Sequence, residues 1–558
     1  MDLTKFAIYQ ILPRLFGNSN SLSRVNGTIE ENGSGKFNFF TDEILQSIKS
    51  LGVTHLWFTG IIRHASTTNY PNIPTNNPSI VKGKAGSPYA ITDYYDVSPD
   101  LAVNPENRIE EFEELVRRTH SNGFKFIIDF VPNHLSREYK SIKKPSHCQD
   151  FGESDETNRP FDPQNNFYYL PNEKLILPFP SDYHEFPAKA SGNDIFHAFP
   201  SQNDWYETVK LNYGIDFGDN QKKYFSPTPK TWIMMRNVLF YWAQKGIDGF
   251  RCDMAEMVPV EFWEWAIPQV KEINPELLFI AEIYNPQLYS AYLDQGKFDY
   301  LYDKVGFYDQ LRAIIEQRNP AARLSNTWKS LNGLDNRMLR FLENHDEQRI
   351  ASKNFAQYPP RALPAFFVVC CMHQNPFLVY FGQEFGEEAK GVSGFSGNDG
   401  RTTLFDYWNV PTIQKWVGNK KPNVENLSID SQILYANYQE IIKFSLTEKA
   451  IADGAFYDLM WVNKDNKLFN PISIFAFIRT LGKDNFLCLA NFSKDKQTLT
   501  IQISEHAFEF CAIKKARLLN FVFTDYFSKN ILKISGLECI EKGIQMELLP
   551  FSYVAYQF

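Results

Sequence analysis

The sequence predicts an α/β fold: a (β/α)8 TIM barrel with a small domain inserted after its third strand and a C-terminal antiparallel β-sandwich. Eight short apolar runs alternate with longer helix-like runs over the first two-thirds of the chain. A stretch rich in Asn, Pro, Asp and aromatic residues interrupts the alternation once, and short β-rich runs follow it at the end. Alternating strands and helices are typical of a parallel barrel, and a doubly wound sheet is the alternative.

The eight predicted barrel strands are short apolar runs, at Phe6–Ile11, Thr54–Thr59, Phe124–Val131, Gly249–Asp253, Leu277–Ile283, Phe298–Tyr302, Arg340–Glu343 and Pro376–Phe381. Helices are predicted between them where capping residues or prolines precede a helical pattern, and glycines follow the first three. These helices are Thr41–Leu51, Pro105–Asn122, Thr231–Lys245 and Pro359–Met372.

Two segments depart from the barrel pattern and define the predicted domains. Residues 132–213 are too long for a loop, so we expect a small inserted domain between the barrel parts 1–131 and 214–448. Residues 449–558 contain only short β-rich runs, which predict the sandwich. The runs are Ile472–Arg479, Phe486–Asn491, Thr498–Ile503, Arg517–Val522, Gln545–Glu547 and Tyr553–Tyr556.

Composition and charge exclude several classes of protein. A hydrophobic content of 43% excludes a mainly disordered chain. The net charge of -8 argues against a nucleic-acid or anionic-membrane partner, because binding phosphates requires a clustered basic surface. The chain has 48 Phe, 28 Tyr and 10 Trp residues, which suit a large core and also suit stacking on sugar rings. Oligomeric state is left open.

The cysteines and the start of the chain indicate a cytoplasmic protein. The seven cysteines are scattered without a C-x-x-C pair, so we expect reduced thiols rather than a disulfide framework. Residues Met1–Phe6 lack the features of a signal peptide, although the protein would be exported if a leader had been removed. The longest apolar run, Pro364–Met372, is far shorter than the roughly 20 residues of a membrane helix.

Polar residues stand where four of the predicted strands end. Active sites of such barrels gather at the carboxyl ends of the strands, so these residues are expected to meet at one opening. The four stretches are Asp129–His134 (DFVPNH), Gly249–Asp253 (GFRCD), Phe279–Tyr284 (FIAEIY) and Phe341–Asp346 (FLENHD).

Three carboxylates in these stretches are candidate catalytic groups. Arg251 and Asp253 point to the same side of a strand, and the cation lowers the pKa of the carboxyl, as a nucleophile requires. A structural ion pair is the alternative. Glu282 ends an apolar run, a setting that suits a general acid, although an exposed strand end would look the same. Asp346 follows His345 and is a candidate for holding substrate hydroxyls.

Taken together and in this order, the four stretches resemble the α-amylase family, glycoside hydrolase family 13. The resemblance extends to Tyr9–Ile11 and to Phe381–Glu384. It implies that Asp253 is the nucleophile, Glu282 the acid/base and Asp346 the residue that stabilises the distorted transition state. The substrate-binding residues that it implies are Tyr89, His134, Arg251, His345 and Arg349, of which Arg349 would contact Asp346.

The resemblance implies a retaining hydrolase of α-glucosidic bonds, most often α-1,4, in starch-derived glucans or maltooligosaccharides. A retaining mechanism places its two carboxyl groups about 5–5.5 Å apart, against about 6.5–9.5 Å for an inverting one. A transglycosidase would use the same residues, and a non-catalytic carbohydrate-binding barrel is the alternative from another class.

The resemblance implies no required cofactor and leaves a structural calcium open. Asn133 matches a calcium-ligand position of the family, and the remaining ligands would come from residues 132–213. Met257 stands where many members carry a histidine of the calcium neighbourhood. Oxygen-rich ligation would identify such a site.

Overall fold

A closed barrel of eight parallel strands forms the centre of the computed structural model, which describes residues 5–418 and 421–558. Residues Met1–Thr4, part of the stretch in which no signal peptide was recognised, lie outside the described residues. The strands are β1 (Ala7–Ile11), β2 (His55–Phe58), β3 (Lys125–Phe130), β4 (Gly249–Cys252), β5 (Leu278–Ala281), β6 (Tyr300–Tyr302), β7 (Met338–Phe341) and β8 (Phe377–Tyr380).

All eight predicted strands are confirmed, and β1 pairs with both β2 and β8. This pairing closes the sheet and excludes the doubly wound alternative, which has two free edges. The described barrel strands are almost entirely buried, as expected where helices cover a parallel sheet.

Nine helices of seven or more residues lie in the described part of the chain. They are α1 (Asp42–Lys49), α2 (Arg108–Ser121), α3 (Lys230–Gln244), α4 (Val260–Lys271), α5 (Asp309–Ile315), α6 (Leu324–Leu331), α7 (Leu363–Cys371), α8 (Pro411–Val417) and α9 (Ile429–Thr447). Two predicted helices begin later than expected, because Pro105–Asn107 and Pro359–Ala362 form 3-10 turns before α2 and α7. Proline fixes φ and lacks an N–H, so it is tolerated in such a first turn.

The segment between β3 and α3 contains short antiparallel strand pairs. His134–Ser136 pairs with Thr208–Lys210, and Tyr169–Leu170 pairs with Ala188–Lys189. A small separate core forms here from Ile80, Leu175, Leu177, Ala188, Ala198 and Tyr206. Since Ile80 belongs to the long connection after β2, that connection packs against the inserted segment.

The C-terminal region is antiparallel, as predicted. Its strands are β9 (Ala455–Asp458), β10 (Ile474–Leu481), β11 (Asp484–Asn491), β12 (Gln497–Ile501), β13 (Asn520–Asp525), β14 (Ile531–Ser535), β15 (Ile544–Leu548) and β16 (Tyr553–Gln557). Six of them form one sheet in the order β9-β10-β11-β16-β13-β14, and β12 pairs with β15. The sequence did not reveal β9 and β14; the residues of β14 are exposed or half-buried, so they carry no alternating apolar pattern.

Two further expectations concern thiols and membrane helices. All seven cysteines are unpaired, and six of them are buried. Within residues 5–418 and 421–558, no helix is both long enough and apolar enough to cross a membrane.

Phe112 joins α2 to the barrel and provides a test of this packing. Its ring contacts those of Phe37, Phe126 of β3 and Trp242 of α3, and it is fully buried. We expect Phe112→Ala to lower the free energy of unfolding by about 3–5 kcal/mol, measured by urea denaturation. Arg117→Ala, on the exposed face of the same helix, should change it by no more than about 1 kcal/mol. Equal effects of the two substitutions would contradict this packing.

Candidate active site

A pocket with a cavity volume of about 230 Å³ lies at the carboxyl ends of the barrel strands. It brings together all three candidate catalytic carboxylates and two of the candidate substrate-binding residues. Its lining consists of Asp253, Glu282, Asp346, Tyr89 and His134, together with Lys82, Ser87, Trp205, Glu207, Thr208, Met254, Tyr284, Leu404 and Phe405.

The Arg251 guanidinium lies beneath this pocket and contacts two of its carboxylates. Its Nη1 lies 2.7 Å from Asp253 Oδ1, and its Nη2 lies 2.9 Å from Glu282 Oε1. Its Nε donates to the Tyr302 hydroxyl at 3.1 Å, and the side chain is 1% exposed. Because the guanidinium is planar and rigid, it fixes the positions of both carboxylates relative to each other.

Burial changes the expected ionisation of Asp253. It raises the pKa of the Asp253 carboxyl well above its ordinary value, and the Arg251 guanidinium lowers the pKa by less than burial raises it. The nearby Glu282 carboxyl raises the pKa further. The expectation that Arg251 would hold this pKa low is therefore wrong, because burial, together with the neighbouring carboxylates of this cluster, outweighs the effect of the guanidinium. Protons on such a cluster belong to the group as a whole rather than to one residue.

Glu282 lies in a more polar setting than its apolar sequence neighbours suggested. Its Oε2 accepts the Met254 N–H at 2.8 Å, and its Oε1 accepts the Tyr284 hydroxyl at 2.6 Å. Met254 adopts a left-handed conformation with φ 43°, which is uncommon for a residue with a side chain. Glu256 accepts the Tyr284 N–H at 2.9 Å, so the loops after β4 and β5 are joined around Glu282.

A hydrogen-bonded chain connects Tyr89 and His345. Gln10 Nε2 lies 2.8 Å from His345 Nδ1, which leaves His345 Nε2 as the protonated nitrogen when Gln10 donates. This Nε2 lies 2.6 Å from the Tyr89 hydroxyl and 3.1 Å from Asp346 Oδ2. Burial and the Arg251 charge lower the pKa of His345 well below its usual value, so the ring is neutral. The Asp346 side chain is 42% exposed and faces the pocket.

Asp129 belongs to this network, although sequence reasoning did not select it as a site residue. It accepts the Trp57 indole N–H at 3.1 Å and the Tyr89 hydroxyl at 3.3 Å, and Arg251 Nη1 lies 3.6 Å away. Burial raises the pKa of Asp129 to about 6. The feature of the sequence that points to Asp129 is its position as the first residue of the DFVPNH stretch, at the end of a predicted strand.

The structure separates Arg349 from the pocket. Its Nη1 lies 3.0 Å from Glu343 Oε2 and donates to the Phe381 carbonyl at 2.8 Å, and the residue is fully buried. The expected contact with Asp346 is absent from the hydrogen bonds and ion pairs of the described residues, because Glu343 takes up the guanidinium. Arg401 instead donates to the Asp346 carbonyl at 2.6 Å.

Asn133 contacts an ammonium group. The Lys210 Nζ donates to Asn133 Oδ1, lies 2.7 Å from Asp194 Oδ1 and donates to the Met257 carbonyl at 3.3 Å. Three oxygens thus surround one buried cation. Across residues 5–418 and 421–558, no group of three or more His, Cys, Asp or Glu side chains is arranged to hold a metal ion. The oxygens around Asn133 therefore do not fit a calcium ion as they stand.

Comparison with known protein families gives one match that covers most of the chain. The family model for the α-amylase catalytic domain matches residues 10–453. This range begins within β1 and ends just before the C-terminal strands, so it covers the barrel from the end of β1 onward together with the inserted segment.

Individual relatives are distant but cover nearly full length. Alpha-amylase 3 of Dictyoglomus thermophilum is 20% identical over 94% of this chain and 92% of its own. A glucan 1,6-alpha-glucosidase of Streptococcus pneumoniae is 21% identical over 96% of this chain and 98% of its own. The crystal structure of a maltogenic alpha-amylase from Thermotoga neapolitana superposes with a TM-score of 0.63 at 18% identity, covering 100% of this chain and 99% of that one. At this identity the structural match indicates the shared fold.

Proposed function

The chain belongs to the alpha-amylase family, and from this premise we propose that it is a retaining hydrolase of α-glucosidic, chiefly α-1,4, bonds in starch-derived glucans or maltooligosaccharides. Membership makes it a glycosidase that acts on the O-glycosyl bonds of α-glucans. The observation that carries the finer proposal is the single Arg251 guanidinium that holds Asp253 at 2.7 Å and Glu282 at 2.9 Å. A retaining mechanism requires two carboxyl groups about 5–5.5 Å apart, and their shared contact with one guanidinium supports the assignment of these two.

In the first step, an Asp253 carboxylate oxygen bonds to the anomeric carbon while the bond from that carbon to the leaving oxygen breaks. Glu282 donates its proton to the leaving oxygen. In the second step, Glu282 takes a proton from water, the water oxygen bonds to the anomeric carbon, and the bond to Asp253 breaks. The two inversions at this carbon restore the α configuration. The Met254 N–H and the Tyr284 hydroxyl keep Glu282 in place for both proton transfers.

Four further residues of the site would hold the sugar being cleaved. Asp346 faces the pocket with a free carboxylate oxygen and would stabilise the positive charge that develops on the ring. His345 is neutral, and when Gln10 donates to its Nδ1, its Nε2–H donates to the Tyr89 hydroxyl. Tyr89 would stack on the ring, and His134 would bind one of its hydroxyls.

A transglycosidase remains the second candidate, because a sugar hydroxyl could replace water in the second step without any other change. Chromatography of products at high maltotriose concentration separates the two, since transfer yields chains longer than the substrate. The non-catalytic alternative is not supported, because all three carboxylates line the pocket.

Replacing the nucleophile tests the proposal directly. We expect Asp253→Asn to lower kcat on maltotriose by about 10³-fold or more, because the amide does not attack the anomeric carbon. The wild-type protein should release the α anomer first, as followed by proton NMR. Asp219→Asn, at an exposed position, should leave kcat unchanged. Release of the β anomer, or full activity of Asp253→Asn, would refute the proposal.

The raised pKa of Asp253 predicts the acid side of the pH profile. The nucleophile must be ionised, so kcat/KM should fall as the pH drops through a pKa well above the usual value of about 3.9. In Glu282→Gln the neighbouring negative charge is lost, and the pKa of Asp253 should fall. With an α-glucosyl fluoride, whose leaving group needs no proton, the burst of fluoride should persist at lower pH than in the wild type. An unchanged acid limb would contradict this electrostatic coupling.

We further propose that Lys210 supplies the positive charge beside Asn133, at the place where the family resemblance left a structural calcium open. A chelator such as EDTA should then change neither kcat nor the melting temperature, and added calcium should not raise the latter. Lys210→Met leaves Asn133 and Asp194 without their cation and should lower the free energy of unfolding by about 1–3 kcal/mol. Lys222→Met, in an exposed ion pair, is the control. Inactivation by EDTA would overturn this assignment.

A further inference from the structure

Lys82 and Glu207 form an ion pair inside the pocket that the proposed mechanism does not use. The Lys82 Nζ lies 3.0 Å from Glu207 Oε1, and the two side chains are 11% and 5% exposed. Glu207 Oε2 is buried and has no hydrogen-bond partner among the described residues. A buried carboxylate oxygen without a partner costs free energy, and in a pocket it is an acceptor available to a ligand.

Close contact between two loops closes the pocket wall beside this pair. Gly83 has φ +68°, and a Cβ at this position would lie 2.1 Å from the Phe405 carbonyl oxygen. The Ala85 N–H donates to the same oxygen at 3.0 Å. Buried Arg14 holds both loops, since it donates to the Ala85 carbonyl at 3.0 Å and to the Leu404 carbonyl. The backbone itself therefore forms this wall.

Lys82 also separates the pocket from a second, open depression on the surface. That depression is lined by Lys82, Gln202, Asn203 and Phe395, among others. The Lys82 Nζ lies 5.3 Å from the Tyr206 ring and 5.9 Å from the Phe395 ring. Lys82 therefore lines both the pocket and the depression.

The pair lies on the side of the pocket that holds the sugar ring rather than the leaving group. Met254 and Tyr284 bind Glu282, so they mark the leaving-group side. Lys82, Glu207 and His134 line the pocket together, and the Glu207 carbonyl accepts the Arg137 N–H at 3.1 Å, directly beside the strand pair that contains His134. Trp205, two residues before Glu207, has its ring 5.0 Å from that of His134.

We propose that Lys82 and Glu207 close the non-reducing side of the site and bind two neighbouring hydroxyls of a terminal glucosyl unit. The Lys82 ammonium donates to one hydroxyl oxygen, and Glu207 Oε2 accepts from the other. The enzyme then acts from chain ends, on α-glucans with a free non-reducing end. This inference rests on the proposed function.

Blocked substrates test the proposal in the wild-type protein. Maltoheptaose can be blocked by tying the 4- and 6-hydroxyls of its non-reducing terminal unit in an ethylidene acetal. The blocked substrate should be cleaved at least about 100-fold more slowly than free maltoheptaose, because these hydroxyls are no longer available to bind Lys82 and Glu207. Equal rates on the two substrates would overturn the inference and leave the hydrolase proposal intact. Inactivity on both, with the protein folded, would overturn both.

Variants then test whether Lys82 and Glu207 cause the difference in rate between free and blocked maltoheptaose. In Lys82→Met/Glu207→Gln, the ratio of the two rates should fall at least about tenfold, through a higher KM for the free substrate, as expected when a binding contact is lost. Lys82→Arg keeps a cation and should preserve the ratio, and Lys84→Met, outside the pocket lining, should leave both rates unchanged. A folded double variant with undiminished discrimination would refute the assignment.

Discussion

The buried charge of Arg251 is the constraint on which the rest of the site depends. A guanidinium that is 1% exposed must be neutralised by nearby groups, because an unpaired buried charge is strongly destabilising. Asp253 and Glu282 meet this requirement, with Asp129 at 3.6 Å, and the Tyr302 hydroxyl accepts the remaining Nε–H. The same contacts that keep the cation in the barrel also bring together the two carboxylates that the proposed reaction needs. The same contacts of Arg251 therefore serve both the stability of the barrel and the proposed chemistry.

The closed barrel and the register of its strands bring these residues together. Arg251 of β4 stands opposite Asp129 of β3 and Ile280 of β5, so the strand ends that carry Asp253 and Glu282 are neighbours. The left-handed Met254, which follows Asp253 at the end of β4, turns its N–H toward Glu282. Backbone strain of this kind persists where surrounding contacts hold it in place, and here those contacts surround the acid/base.

The inserted segment contributes shape and charge rather than catalytic carboxylates. It supplies Lys210 to the oxygens around Asn133 and Glu207 to the pocket, where Lys82 from the connection after β2 meets it. Each of these lysines is paired with an acidic residue, so the pocket gains the Lys82 donor with little net charge. A neutral α-glucan is the substrate class that such a lining favours, in agreement with the family to which the chain belongs.

The sequence alone determined the barrel, the antiparallel C-terminal region and the stretches that carry the candidate carboxylates, because apolar runs and the polar residues at their ends are local signals. The tertiary structure decided what those residues contact. Burial by distant segments outweighs the effect of Arg251 on the pKa of Asp253, and Glu343 takes Arg349 away from Asp346. The pairs Lys210–Asn133 and Lys82–Glu207 join positions far apart in the chain. Desolvation and long-range pairing depend on which segments cover one another, and that is set only when the chain is folded.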